Sequence, residues 1–267
     1  MDNRPIGVFD SGVGGLSILK ELQLLLPNEN YIFLADQLHV PYGEKSKRQL
    51  TDLSYRIADY FLTHDIKLMV VACNTATCYT IDRLRKKYSL PIVGTVPAIK
   101  PASENTQTGM IAVISTPATS KSKALKELIK NHCQNITVLN IGCKNLENTV
   151  EAGKLNDKEV TDLLVKYLRQ IKHHDIDYLV LGCTHYPFLK DTIKKLVNPS
   201  VKIIDSGPAI AKRVKSLLSA HLIKNAQKNK GKISYFTTGN AKKFQTIAGQ
   251  LLGHHIEAKK IKIYDQI

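Results

Sequence analysis

Two cysteines stand at matching places in this chain. Cys73 ends the apolar run Leu68-Met69-Val70-Val71-Ala72 and is followed by Asn74-Thr75. Cys183 ends Tyr178-Leu179-Val180-Leu181-Gly182 and is followed by Thr184-His185. In open parallel sheets, ligands bind beyond the carboxyl ends of the strands. A thiol placed there ahead of a helix faces the positive end of the helix dipole, which favours the thiolate. A lone buried cysteine is usually a small hydrophobe. Two at equivalent places, each followed by hydrogen-bonding residues, point instead to shared chemistry. Facing each other across one cleft, one thiol could take a proton from one face of a carbon while the other returned a proton to the opposite face. That is racemisation or epimerisation by two bases.

Other chemistries fit less well. A zinc site from Cys73, Cys183 and His185 has ligands of the right type but lacks close-spaced ligand pairs. Amide or ester cleavage by Cys183 with His185 sets nucleophile and base two residues apart on one turn, a poor geometry that leaves Cys73 idle. Cys78, Cys133 and Cys143 show no such echo and read as inert.

The first glycine-rich turn, Asp10-Ser11-Gly12-Val13-Gly14-Gly15-Leu16-Ser17, is neither a dinucleotide fingerprint nor a Walker A loop. Ser17 takes the place of the third glycine, and no Gly-Lys-Ser/Thr ending follows. Its backbone N–H groups suit a carboxylate. Asp10 is placed to orient or assist a neighbouring thiol, or to cap the helix that follows.

The elements that must position these residues alternate. Strand-like runs are Ile6–Asp10, Tyr31–Ala35, Leu68–Ala72, Ile92–Gly94, Ile111–Ser115, Ile136–Ile141, Tyr178–Gly182 and Val201–Asp205. Most are short, unbroken and rich in Val and Ile, as strands covered on both faces are. Helical patterns lie between them at Leu16–Leu26, Gln49–Leu62, Ala76–Tyr88, Lys121–Lys130 and Asp157–His173. Such alternation predicts an α/β protein with parallel sheets.

The pattern also repeats. Gly7-Val8-Phe9-Asp10-Ser11 is echoed by Ala112-Val113-Ile114-Ser115-Thr116, and Val70-Val71-Ala72-Cys73-Asn74-Thr75 by Val180-Leu181-Gly182-Cys183-Thr184-His185. Pro97-Ala98-Ile99 recurs as Pro208-Ala209-Ile210. Three echoes in one order, each roughly 110 residues apart, indicate two copies of one α/β unit with crossovers near 97 and 207. The last sixty or so residues must then pack on one of the two units.

Composition bounds the rest. The 267 residues suit two modest domains, and 43% hydrophobic against 23% charged residues allows a sizeable core. No apolar run approaches the 18 or so residues of a membrane span. Met-Asp-Asn-Arg-Pro leads straight into a strand-like run and does not read as a signal peptide. Five cysteines without a CxxC pair suit free thiols in a reducing cytoplasm. Thirty-eight Lys and Arg against twenty-three Asp and Glu give a net charge of +15. From Ser206 to Ile256 there is no Asp or Glu, while Lys212, Arg213, Lys215, Lys224, Lys228, Lys230, Lys232, Lys242 and Lys243 all fall there. A nucleic-acid surface would need more than charge, which alone carries no specificity. No aromatics are interleaved for stacking among the basic residues from Lys212 to Lys232, so solvated helix faces are the simpler account.

Taken together, Gly7 to Gly15, Val40-Pro41-Tyr42-Gly43, Ala72-Cys73-Asn74-Thr75-Ala76 and Gly182-Cys183-Thr184-His185-Tyr186-Pro187 resemble the glutamate racemase family, within the cofactor-independent aspartate/glutamate racemases. The resemblance implies an enzyme interconverting L-glutamate and D-glutamate for peptidoglycan synthesis, with no cofactor and no metal. It implies two pseudo-symmetric doubly wound domains, 1–97 with 208–267 and 98–207, and an active site in the cleft between them. Cys73 and Cys183 match the acid/base thiols, with Asp10, Glu151 and His185 assisting. Asp10, Ser11, Tyr42, Gly43, Asn74, Thr75, Thr184 and His185 fall on substrate-contacting motifs. The implied partners are the two glutamate enantiomers, with no membrane, nucleic acid disfavoured and a homodimer left open. The chain departs from the family pattern at Gln37-Leu38-His39, where Thr-Ala-Arg is more usual, and at Thr77, where serine is common. The segment Cys143 to Thr149 is more polar than expected ahead of the glutamate.

Overall fold

The computed structural model describes residues 2–225 and 229–263. Two parallel sheets carry the molecule. The first six-stranded sheet holds β1 (Ile6–Asp10), β2 (Tyr31–Ala35), β3 (Leu68–Val71) and β4 (Ile92–Gly94). The four-stranded sheet holds β5 (Met110–Ser115), β6 (Thr137–Gly142), β7 (Tyr178–Leu181) and β8 (Lys202–Asp205). The chain then returns to the first sheet with β9 (Ile233–Thr237) and β10 (Ala258–Lys260). The orders are β10-β9-β2-β1-β3-β4 and β6-β5-β7-β8. Each sheet therefore repeats one sequence of strands, second-first-third-fourth, which is the architectural form of the echoes. The order reverses beside β1 and β5, where such sheets open a crevice for ligands.

The helices are α1 (Leu16–Leu25), α2 (Lys47–Thr63), α3 (Asn74–Lys87), α4 (Ile99–Asn105), α5 (Pro117–Lys121) and α6 (Lys123–His132). After them come α7 (Leu146–Glu151), α8 (Lys158–Leu168), α9 (Lys190–Lys194), α10 (Gly207–Ala220) and α11 (Ala241–Leu252). Local chemistry sets several ends. Ser46 and Gln49 close a capping box on α2, Ser122 caps α6, and Asn240 caps α11, which stops at Gly253 in the left-handed region.

Alternation along the strands explains why the apolar runs are unbroken. Leu68 and Val70 of β3 join a cluster with Leu16 and Leu19 of α1, while Met69 and Val71 pack with Ile57 and Phe61 of α2 and Leu84 of α3. In the second sheet, Ala112, Ile114, Leu179 and Leu181 point to that same first cluster, and Ile111, Val113 and Val180 pack with Ile99 and Leu125. One continuous core thus joins the two sheets. Each of its fully buried Leu, Ile or Val side chains contributes roughly 1.5–3 kcal/mol.

The two crossing segments touch, with Ser206 Oγ donating to the Val96 carbonyl at 2.6 Å. The tail strands were not foreseen in the sequence. β9 is only half-buried and pairs with β2, and β10 is a lysine-bearing edge. Edge strands of this kind carry charge and lose the apolar signature. Lys212, Arg213 and Lys215 on α10, Lys242 and Lys243 on α11, and Lys224, Lys230 and Lys232 between them are all exposed, and Val214 and Leu218 form the buried face of α10. Lys228 lies outside the described residues. Among the described residues, no helix is long and apolar enough to cross a membrane.

Candidate active site

β3 and β7 deliver the thiols. Both strands are wholly buried, and both end at the crevice side of their sheets. Cys73 is the N-cap of α3, its sulfur accepting from the Ala76 N–H at 3.4 Å. Cys183 differs from expectation: a 3-10 turn, Tyr186–Leu189, follows it, and the five-residue α9 begins only at Lys190. Pro187 sits in the first turn, lacks an N–H, and restricts the residue before it. The helix dipole therefore serves Cys73 only, and a different group serves Cys183.

That group is His185, whose Nδ1 lies 3.6 Å from the Cys183 sulfur. Two residues of separation suggested poor geometry. The tight turn ahead of Pro187 instead folds the imidazole back onto the thiol. Nε2 of the same ring lies 2.7 Å from Oε1 of Glu151, which projects from the end of α7. Glu151 also accepts from the Val13 N–H at 2.6 Å and from Gln37 Nε2 at 3.1 Å. The glycine-rich loop thus holds a carboxylate, as its N–H groups predicted, and that carboxylate belongs to the protein itself. The glycines are needed for approach. A Cβ on Gly12 would run into the Glu151 carboxylate, and one on Gly14 would stand 2.5 Å from His185 Nδ1.

Asp10, at the end of β1, is fully buried and caps no helix. Oδ1 accepts from the Ser11 N–H at 2.6 Å and the Ser11 hydroxyl at 3.2 Å, and Oδ2 accepts from Thr184 Oγ1 at 2.8 Å. It fixes two cleft residues from behind. Tyr42 and Gly43 come from a 3-10 turn, with the Tyr42 hydroxyl donating to Asp36 Oδ2 at 2.7 Å.

These parts meet. Cys73, Asn74 and Thr75 line one side of a cleft, Cys183, Thr184 and His185 another, and Ser11, Tyr42 and Gly43 complete the wall. Asp10 and Glu151 stand behind it, in contact with Thr184 and His185. The free space inside is about 20 Å³, on the order of what one bound water needs. Anything as large as an amino acid enters only when the walls part.

Four wall residues were given no site role from the sequence: Val40, Pro41, Thr116 and Glu147. Thr116 carried a signal, since it is the echo of Ser11, and its hydroxyl lies 3.1 Å from that of Thr75. Gln37 was visible only as a departure from a family pattern. Among the described residues, no group of three or more His, Cys, Asp or Glu could hold a metal ion.

Electrostatics divide the two thiols. Burial, and after it the Asp10 carboxylate, pushes the Cys73 thiol well above its ordinary value. Burial also raises Cys183, but the hydrogen bond and charge of His185 work against it. On His185, burial disfavours charge, yet the Cys183 sulfur and the Glu151 carboxylate outweigh it and hold the ring well above the usual imidazole value. Burial likewise opposes ionisation of Glu151, and the contacts from His185, Gln37 and Val13 overcome it and keep this carboxyl low. Charge therefore settles on the Glu151–His185 pair. Of the two sulfurs, Cys183 is the one beside a cation.

Fold and site together define an α/β protein of two like-ordered parallel sheets, with paired thiols in the crevice between them. The profile of the Asp/Glu/hydantoin racemase family matches residues 8–214, and the chain belongs to that family. Within it, the chain is 40% identical over 247 residues to a glutamate racemase of Herpetosiphon aurantiacus, covering 92% of this chain and 97% of that one. A crystal structure of a glutamate racemase isoform from Bacillus anthracis superposes with a TM-score of 0.91 at 32% identity, covering 98% of each chain. That of a glutamate racemase from Francisella tularensis in complex with D-glutamate gives 0.87 at 30% identity, covering 99% of each.

Proposed function

We propose that this protein is a glutamate racemase, interconverting L-glutamate and D-glutamate through Cys73 and Cys183 in the cytoplasm and supplying D-glutamate for peptidoglycan. The observation that carries the reading is the thiol pair in one cleft, on a chain whose full-length relatives are glutamate racemases. In this reading the halves are domains, 1–97 with 208–267 and 98–207, and the packing of α10 on α1 supports the return of the tail to the first.

The chemical difficulty is the weakness of a thiolate as a base, since a free cysteine titrates near 8.5. Burial raises both thiols, which strengthens each as a base once it is deprotonated. From L-glutamate, the Cys183 thiolate takes the Cα proton: the C–H bond breaks, an S–H bond forms, and the electron pair stays on Cα. The Cys73 thiol then gives its proton to the opposite face, leaving a Cys73 thiolate. From D-glutamate the roles exchange. Asn74 and Thr75 donate to the α-carboxylate as it takes up enolate-like charge, while Ser11 and Thr184, whose hydroxyl protons go to Asp10, stand beside it. His185, charged by Glu151, stabilises the Cys183 thiolate, and Asp10 positions Ser11 and Thr184. The wall at Tyr42 and Gly43 sets the reach of the side chain and so separates glutamate from aspartate.

Incubation with L-glutamate in D2O, with no cofactor added, tests this directly. Deuterium should enter at Cα as D-glutamate appears. Absence of exchange, or comparable kcat/KM for aspartate and glutamate, would overturn the assignment.

A further inference from the structure

Glu147 lies on α7 one turn ahead of Glu151, within the segment whose polarity stood out in the sequence. It is only 8% exposed and lines the cleft together with Cys183 and His185. Its Oε2 has no hydrogen-bond partner. The other two carboxylates at the site, Asp10 and Glu151, each accept three hydrogen bonds from the protein. An unpaired buried charge is costly, and no Lys or Arg lines this cleft to offset one.

The inference rests on the glutamate racemase reading, in which the substrate brings two carboxylates and one ammonium. With Cα between the thiols and the α-carboxylate on Asn74 and Thr75, the side chain extends toward the wall of Gly43. Glu147 and Gly43 line the same cleft. We propose that Glu147 receives the substrate's side-chain carboxylate as a carboxylic acid, Oε2 donating its proton into that hydrogen bond. Above the Glu147 pKa, glutamate then enters the cleft together with one proton from solvent.

The surroundings favour the protonated form. Burial raises the Glu147 carboxyl, and the Glu44 and Glu151 carboxylates add to it, against its own backbone N–H and the charge of His185. Cys183, Cys143, Tyr167 and Tyr186 also feel Glu147, and none of them brings a positive charge. An arriving carboxylate strengthens the same preference.

The test is the pH dependence of KM, followed by Cα deuterium exchange, in the wild type and Glu147→Gln. With one proton taken up per substrate, wild-type KM should rise by about tenfold per pH unit above the Glu147 pKa. Glutamine keeps an N–H donor and cannot titrate, so in the variant this slope should vanish and KM at alkaline pH should fall below the wild-type value. A variant KM raised equally at every pH would overturn the proposal and assign Glu147 to the ammonium as a carboxylate. An unchanged slope would also overturn it. Proton uptake on mixing wild-type protein with D-glutamate in weakly buffered indicator, at a pH where wild-type KM is rising, needs no variant, and zero uptake there is decisive against the proposal. If neither protein exchanges the Cα proton, the racemase reading fails, and the uptake experiment still judges Glu147.

Discussion

His185 bridges Cys183 and Glu151: its Nδ1 lies 3.6 Å from the sulfur and its Nε2 lies 2.7 Å from the carboxylate. Cys73 has no such pair behind it and relies on the start of α3 and the Ala76 N–H. The two thiols are equivalent in the fold and unequal in their electrostatics.

Glu151→Gln should expose that inequality. Because the two enantiomers have equal free energy, kcat/KM must fall equally in both directions. The asymmetry appears in half-reactions, where only one thiol acts. With glutamate analogues bearing a β-leaving group, elimination from the L-form, served by Cys183, should fall by roughly tenfold more than from the D-form, about 1.4 kcal/mol. Equal losses would mean that Glu151 does not act through His185.

The same pair has a pH signature in stability. His185 is raised, so its contribution is complete below the unfolded imidazole value and is lost as pH rises through the folded one. Glu151 is lowered, so its contribution is present above the unfolded carboxyl value and is lost as pH falls through the folded one. The stability difference between wild type and Glu151→Gln should therefore be largest between those limits, on the order of 3 kcal/mol. Denaturant titrations across pH should show it shrinking at both ends.

Gly12→Ala should leave the sheets intact and cripple the site. Its Cβ would meet the Glu151 carboxylate, which must move off Val13 and carry His185 with it. Racemisation should drop by on the order of a hundredfold, about 2.7 kcal/mol. Near-wild-type activity would show that the loop yields instead.

The basic tail should be dispensable to the chemistry. Lys224, Lys230 and Lys232 are exposed and line no part of the cleft. Changing all three to Gln should leave kcat within a few-fold. Salt-dependent DNA binding that disappears in this variant would reveal a second activity of the stretch.

The thiols allow the sharpest test. Cys73→Ala and Cys183→Ala should each abolish racemisation, because each removes the proton carrier on one face. Serine should serve little better, since a hydroxyl offers no accessible anion near neutral pH. Elimination needs only one face, so Cys73→Ser should eliminate from the L-form alone and Cys183→Ser from the D-form alone. Full racemisation in either alanine variant would end the two-base assignment.

Much of this was legible in one dimension. A strand buried on both faces must be apolar throughout, so β1, β3, β5 and β7 announced themselves, and the residues after them inherited a place at the crevice. Repetition then paired Cys73 with Cys183 and Ser11 with Thr116. Those are local properties, set by residue type and period. Which groups share a hydrogen bond is not local. Val13 and Gln37 reach Glu151 across well over a hundred residues, and only the packing of α7 against the glycine-rich loop brings them together. Glu147 reads as one more solvated charge on a short helix, because burial is decided by what the chain lays over it. β9 and β10 were hidden for the opposite reason: half-exposed strands toward a sheet edge need little apolar sequence, and only the pairing of β9 on β2 and of β10 on β9 declares them. The sequence determined that two thiols would stand at equivalent strand ends. The tertiary structure alone decided that Cys183 would have a charged histidine at its side and Cys73 a helix, because a side chain's charge depends on neighbours that the chain brings from far away.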